Sequence, residues 1–277
     1  MQKISPSGFP TDIVAERRAR AKGGLPDGLV ATHDAAPDIV AAWYRRPTRR
    51  YRHAILGDDI EAGALQARTR SGQLLSFILP RDYVFEDRYP RLADLDGNGA
   101  TEIITIRSSL RAGASITVYG IVEGHLRELA STGFIGRANR WLNVAGIADF
   151  AGSGTNQIAY VETPHIGGTL FLYAFDGGKL EKVAEKYGFS NHVIGSTEMR
   201  LSAVGDVDGD GRVDLILPSA NRRALRMVGL RRGKLVEIAV IRLPGRINKA
   251  IKMIVNGGDP DFIVGLSNGL VYKISKR

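Results

Sequence analysis

The 277 residues include no cysteine, so no disulfide holds the fold, and an apolar content of 44% suffices for one large core or two smaller ones. A formal charge of +9 favours acidic partners in general: nucleic acid, anionic surfaces or acidic polysaccharide. No apolar run approaches the ~18 residues of a membrane-spanning helix, and Met1–Gly24 lacks the apolar central segment of a signal peptide.

Residues 1–27 read as a basic N-terminal arm, separate from a β domain over 28–277. Within the arm, Thr11 caps a predicted short helix, Asp12–Lys22, that ends at Gly23-Gly24. It carries Arg17, Arg18, Arg20 and Lys22 but only Ile13 and Val14 as strong apolar residues, so it has little to bury. Gly28–Thr32 is a strand candidate. Pro37–Tyr44 has apolar residues at helical spacing behind a proline, which is tolerated at a first turn, and predicts a short packed helix. The run Arg45-Arg46-Pro-Thr-Arg49-Arg50-Tyr-Arg52 is either a docking patch for an anionic surface or a solvated connector.

From Tyr51 onward a repeat emerges, in which an opening strand runs into a Gly-rich turn and a second strand. Five segments fit, at about 50–87, 88–137, 138–197, 198–246 and 247–277, and the central openings recur every 55 to 57 residues. Charged turns with glycine, such as Asp176-Gly-Gly-Lys179 and Arg231-Arg-Gly-Lys234, separate the later strands. The last segment is short of one outer strand, and Gly28–Thr32 is expected to supply it. Pairing the two ends in this way removes exposed sheet edges.

Two of the turns carry clustered oxygen ligands. Asp206-Val-Asp208-Gly-Asp210-Gly-Arg-Val-Asp214 places carboxylates at positions 1, 3, 5 and 9. Asp94-Leu-Asp96-Gly-Asn98-Gly-Ala-Thr-Glu102 repeats the spacing. Hard oxygens at alternate positions suit Ca²⁺, which takes ~6–8 of them at ~2.3–2.6 Å, so one or two ions are expected. An EF-hand is excluded, because its bidentate Glu at position 12 would fall on Leu217 or Thr105. Each loop instead leads into a β-branched apolar run that reads as a strand.

A final acid at position 9 with a strand behind it resembles the calcium loop of FG-GAP or VCBS repeats, the integrin-alpha-like β-propeller blades. The resemblance covers about residues 50–277 and is specific at the two loops. It implies an all-β propeller, here of five four-stranded blades closed by the N-terminal strand. It implies ligands from the side chains of Asp206, Asp208, Asp210 and Asp214 with the Arg212 carbonyl. The second set is Asp94, Asp96, Asn98 and Glu102 with the Ala100 carbonyl. That set carries one less negative charge, so weaker binding is expected there. The third repeat keeps only a remnant, Asp149-Phe-Ala-Gly-Ser-Gly-Thr-Asn-Gln157, and is expected not to bind.

Catalytic patterns are sparse. There is no Gly-x-Ser-x-Gly elbow and no cysteine nucleophile, and the five histidines show no metal spacing. Trp43 and Trp141 read as packing residues or sugar platforms. The leading expectation is a non-enzymatic, calcium-stabilised module for a protein or glycan partner, in the periplasm or outside the cell, with the cytoplasm, the plain reading of the N-terminus, as the alternative. One alternative is a carbohydrate-active enzyme on an acidic polysaccharide, since some such lyases resemble propellers with loops of this kind. Another is an anionic-surface or nucleic-acid binder using Arg17–Lys22 and Arg45–Arg52, although no aromatic-basic interleaving supports nucleic acid.

Overall fold

Every regular element among the described residues is a β-strand. The computed structural model describes residues 1–5, 20–255 and 259–275. The chain divides into two units: the described residues of Met1–Arg17, Asn143–Tyr173 and Lys182–Arg277, and those of Arg18–Leu142 and Ala174–Glu181.

β1 (Gln2–Ile4) comes first. The second unit then holds β2 (Ala31–Thr32), β3 (Ile39–Thr48), β4 (Glu61–Thr69), β5 (Leu74–Ile78) and β6 (Tyr83–Phe85). It continues with β7 (Arg91–Ala93), β8 (Glu102–Ser109), β9 (Gly113–Val122) and β10 (His125–Ser131). These nine strands, β2 to β10, form one sheet. Its core packs Tyr44, Leu65, Phe85, Ile103 and Tyr119 together. Phe85 stacks on Tyr44 with centroids 5.0 Å apart and meets Tyr119 edge-on at 5.8 Å.

The other strands form three four-stranded sheets, which fall in the first unit except for Leu142 and Ala174–Glu181. One orders β11 (Leu142–Ala148), β12 (Gln157–Glu162), β13 (Thr169–Asp176) and β14 (Lys179–Tyr187). The next orders β15 (Ala203–Gly205), β16 (Asp214–Pro218), β17 (Ala224–Arg231) and β18 (Lys234–Arg242). The last sets β19 (Ile247–Ile254) beside β20 (Asp261–Leu266), then β21 (Val271–Ile274), then β1. Their inner strands are apolar and buried, as in Asp214–Pro218, where all five residues are buried. The outer strands alternate charge with apolar residues, as in Lys179–Tyr187, which keeps their free edges polar.

Several expectations need correction. The strands form four separate sheets, with no closed propeller among the described residues. The first two predicted repeats are welded into one sheet by β6, which pairs with β8 along Tyr83–Phe85 and reaches β4 through Ala62↔Phe85. The gap in the last sheet is filled by Gln2–Ile4, not by Gly28–Thr32, whose Ala31 and Thr32 pair with β3 instead. Pro37–Tyr44 is not a helix. Its residues from Ile39 onward join the ten-residue strand β3, where β-branched and aromatic side chains fit a half-buried sheet better than their helical spacing implies. The predicted helix Asp12–Lys22 lies outside the described residues except for its last three, which are not helical.

Candidate functional site

Both predicted loops form tight turns between the first two strands of a ladder. Asp94–Glu102 joins β7 to β8, where Ala93 pairs with Glu102, and Asp206–Asp214 joins β15 to β16, where Gly205 pairs with Asp214. The first acid of each loop organises the turn. Asp94 accepts N–H bonds from Gly97 (2.8 Å) and Gly99 (2.9 Å), and Asp206 accepts them from Gly209 (2.7 Å) and Gly211 (2.9 Å). Those four glycines have φ between 75° and 87°, the left-handed region that glycine enters without strain. The last acid turns back into the protein. Glu102 accepts the Leu95 N–H at 2.7 Å and Asp214 the Val207 N–H at 3.0 Å.

The remnant at Asp149 adopts the same scaffold without charge at its end. Asp149 accepts from Ser153 (2.9 Å) and Gly154 (2.7 Å), and Gln157 accepts the Ala151 N–H at 2.9 Å while donating to the Thr155 carbonyl at 2.8 Å. This turn therefore closes through its own hydrogen bonds with a single carboxylate, Asp149.

Ligand oxygens of Asp94, Asp96 and Glu102 lie within 4.8 Å of one another, and so do those of Asp206, Asp208 and Asp210. The two clusters differ in what meets them. Nη2 of Arg231 stands 3.1 Å from Asp208, 2.9 Å from Asp210 and 3.2 Å from Asp214. One guanidinium nitrogen thus takes the carboxylate oxygens that an ion would need at ~2.3–2.6 Å. Gly229 makes the approach possible, because a Cβ there would lie 2.4 Å from Asp214 Oδ1 and 2.5 Å from Arg231 Nη1. Continuing the registers by one pair puts Gly229 opposite Asp214 and Gly120 opposite Glu102. The residue matching Arg231 beside the other loop is then Val122, which carries no charge. Asp96 and Glu102 have no ion-pair partner among the described residues. Burial pushes the Glu102 carboxyl up to about 7, helped by Asp96, Asp94 and Asp38. The Asp94 loop therefore fits a cation, while the Asp206 loop already holds one in Arg231.

Other polar groups are buried where sequence patterns gave no signal. Glu86 is fully buried and bonded to His53 Nδ1 (2.5 Å) and to the Ser108 hydroxyl (2.5 Å). Trp141 is buried and donates its indole N–H to the Glu86 carbonyl at 2.9 Å, so it is a packing residue rather than a sugar platform. His165 and His192 lie 3.0 Å apart through Nε2 and Nδ1, although 27 residues separate them. His192 Nε2 faces the Ser196 carbonyl at 2.8 Å, which can only accept. Neutral His192 therefore receives the His165 Nε2–H on Nδ1.

No family model and no curated protein matches the chain. Solved structures do. The chain is similar to the crystal structure of rhamnogalacturonan lyase YesW, with a TM-score of 0.57 and 17% identity over 91% of this chain and 51% of that one. It is also similar to the Bacillus licheniformis rhamnogalacturonan lyase PL11, with a TM-score of 0.52 and 18% identity over 91% and 50%. The chain thus spans about half the length of the lyases it matches. These findings overturn the FG-GAP/VCBS expectation, and with it the main expectation of a non-enzymatic module. Its loops carry the DxDxDG spacing locally, while the fold around them is that of the lyases. Among the described residues no helix is long and apolar enough to cross a membrane.

Proposed function

We propose that this chain is a carbohydrate-active protein of the lyase kind, acting outside the cytosol on an acidic polysaccharide. The observation that carries this reading is the fold likeness over 91% of the chain to two rhamnogalacturonan lyases. The +9 charge supports it, since a polyanionic substrate is drawn to a basic surface. In this reading one Ca²⁺ is held by the side chains of Asp94, Asp96, Asn98 and Glu102 and by the Ala100 carbonyl. Asp206, Asp208, Asp210 and Asp214, with the Arg212 carbonyl, form a second set whose charge Arg231 already neutralises. The affinity order expected from charge count is thereby reversed. The ion's contribution is to neutralise clustered carboxylates and pin the turn between β7 and β8.

The test is incubation of the purified protein with rhamnogalacturonan, with polygalacturonate and with a neutral galactan. Elimination leaves an unsaturated sugar that absorbs in the ultraviolet. Absorbance growing only with the acidic polymers supports the reading, and no product from either acidic polymer overturns it.

A further inference from the structure

A cavity of about 430 Å³ opens beside β3, β4 and β5, lined by Arg45, Arg46, Pro47, Gln66, Ser76 and Ile78 among others. That volume lies within the ~300–1,000 Å³ usual for small-molecule sites. We propose that it is a binding site for the carboxylate of a uronosyl residue, held by Arg45 and Arg46. The proposal rests on the acidic-polysaccharide reading above and names a subsite for it.

The arginines of the basic run are not equivalent. Arg49 is paired with Asp59, and Arg50 donates to the carbonyls of Tyr83 and Pro80. Arg45 and Arg46 are exposed and have no carboxylate partner among the described residues. Arg45 is nonetheless held in place: its Nη1 donates to Oε1 of buried Gln66 at 2.8 Å, and a Cβ on Gly23 would sit 3.2 Å from its Nη2. Arg46 has φ of 60° and precedes Pro47. A residue before proline is restricted to extended backbone, and a non-glycine residue in the left-handed region is strained. Strain of this kind concentrates where a side chain must be aimed.

The rest of the face suits a sugar. Register places Trp43 beside Gln66 and Ser76 in one row, and Arg45 beside Ala64 and Ile78 in the next. Side chains two apart on a strand share a face, so half-buried Trp43 lies on the same side as Arg45. β5 is an edge strand that presents Leu74 and Ile78, each 56% exposed, on either side of Ser76. Apolar surface for C–H faces, a hydroxyl, an amide and the Arg45 guanidinium on this face, with Arg46 also lining the cavity, make a uronide a better match than a bare inorganic anion. A single guanidinium grips a planar carboxylate through two parallel N–H bonds, and both arginines line the cavity.

The test is calorimetric titration of the full chain with oligogalacturonates and with the same oligomers after reduction of their carboxyl groups. The variants are Arg46→Gly, which removes the guanidinium and relieves the backbone, and Arg45→Gln. Each is expected to weaken oligogalacturonate binding at least tenfold, Arg46→Gly without lowering Tm, and the reduced oligomer is expected not to bind. Unchanged affinity in both variants, equal binding of the reduced oligomer, or displacement by equimolar phosphate would each overturn the site. Elimination by the wild type, followed in parallel, separates the two readings. Cleavage with unaffected variants removes the pocket and keeps the lyase, whereas arginine-dependent binding without cleavage keeps the pocket and removes the lyase.

Discussion

Single side chains decide how the two acidic turns differ. Replacing Arg231 by Gln leaves four carboxylates at Asp206–Asp214 with no internal cation. Calcium titration of R231Q is expected to show a second binding event, at least tenfold tighter at that loop than in the parent; an unchanged isotherm would refute the competition. Glu102→Ala removes the acceptor of the Leu95 N–H and a ligand at once. It should cost ~1–3 kcal/mol and abolish the rise of Tm with Ca²⁺. His192 sets a pH dependence. Burial lowers its pKa from 6.5 to about 4, so between those values the unfolded chain holds more protons than the folded one. Stability should fall on acidification through that window by up to about 3 kcal/mol, and His192→Asn should flatten the slope in urea titrations at stepped pH. The carboxylates were legible in the sequence because alternate acids in a glycine-rich turn act locally. Arg231 was not: it arrives from β17, and only strand register brings it to Asp208 and Asp210. Arg45 and Arg46 were visible as charge, but the neutralisation of Arg49 by Asp59 that sets them apart is a tertiary fact.

At the scale of elements, the sequence marked where chains turn better than what they join. Most hairpins were signalled by glycine beside a charged residue, as at Asp176–Lys179. Pro37–Tyr44 misled because Ile39, Val40, Trp43 and Tyr44 fit a helical stripe as well as a two-sided strand, and both sides of β3 are partly covered. β6 was invisible for another reason: three residues carry no periodicity, yet Tyr83–Phe85 fuse two repeats into one sheet. Phe85→Ala should therefore act on the whole nine-stranded sheet. The loss expected for a buried aromatic is ~3–5 kcal/mol, measurable as a lower urea midpoint. Ile4 packs against the cluster of Ala250, Ile263 and Val271. Ile4→Asp should destabilise the last sheet by roughly 1–3 kcal/mol, with amide exchange accelerated in Val271–Ile274 first.

For the molecule as a whole, charge is the property composition reports most directly. If the +9 surface recruits an acidic polymer, apparent affinity should fall steeply between low and physiological salt, and binding of a neutral galactan should show no such slope. Arrangement was less accessible. Counting repeats predicts equal blades in a ring, whereas hydrogen bonding among the described residues makes one sheet of nine strands and three of four. The pairing of β1 with β21 also has a cost in time. Gln2–Ile4 is synthesised before everything else in this stretch, and the strand it needs, Val271–Ile274, after nearly all of it. Until then β1 has no ladder to join, and the sheet it completes waits on a pairing across about 270 residues, the situation in which non-local pairing slows folding. Its three-residue length then matters as protection: a strand too short to template a neighbour can stay unpaired on a nascent chain without recruiting the wrong one.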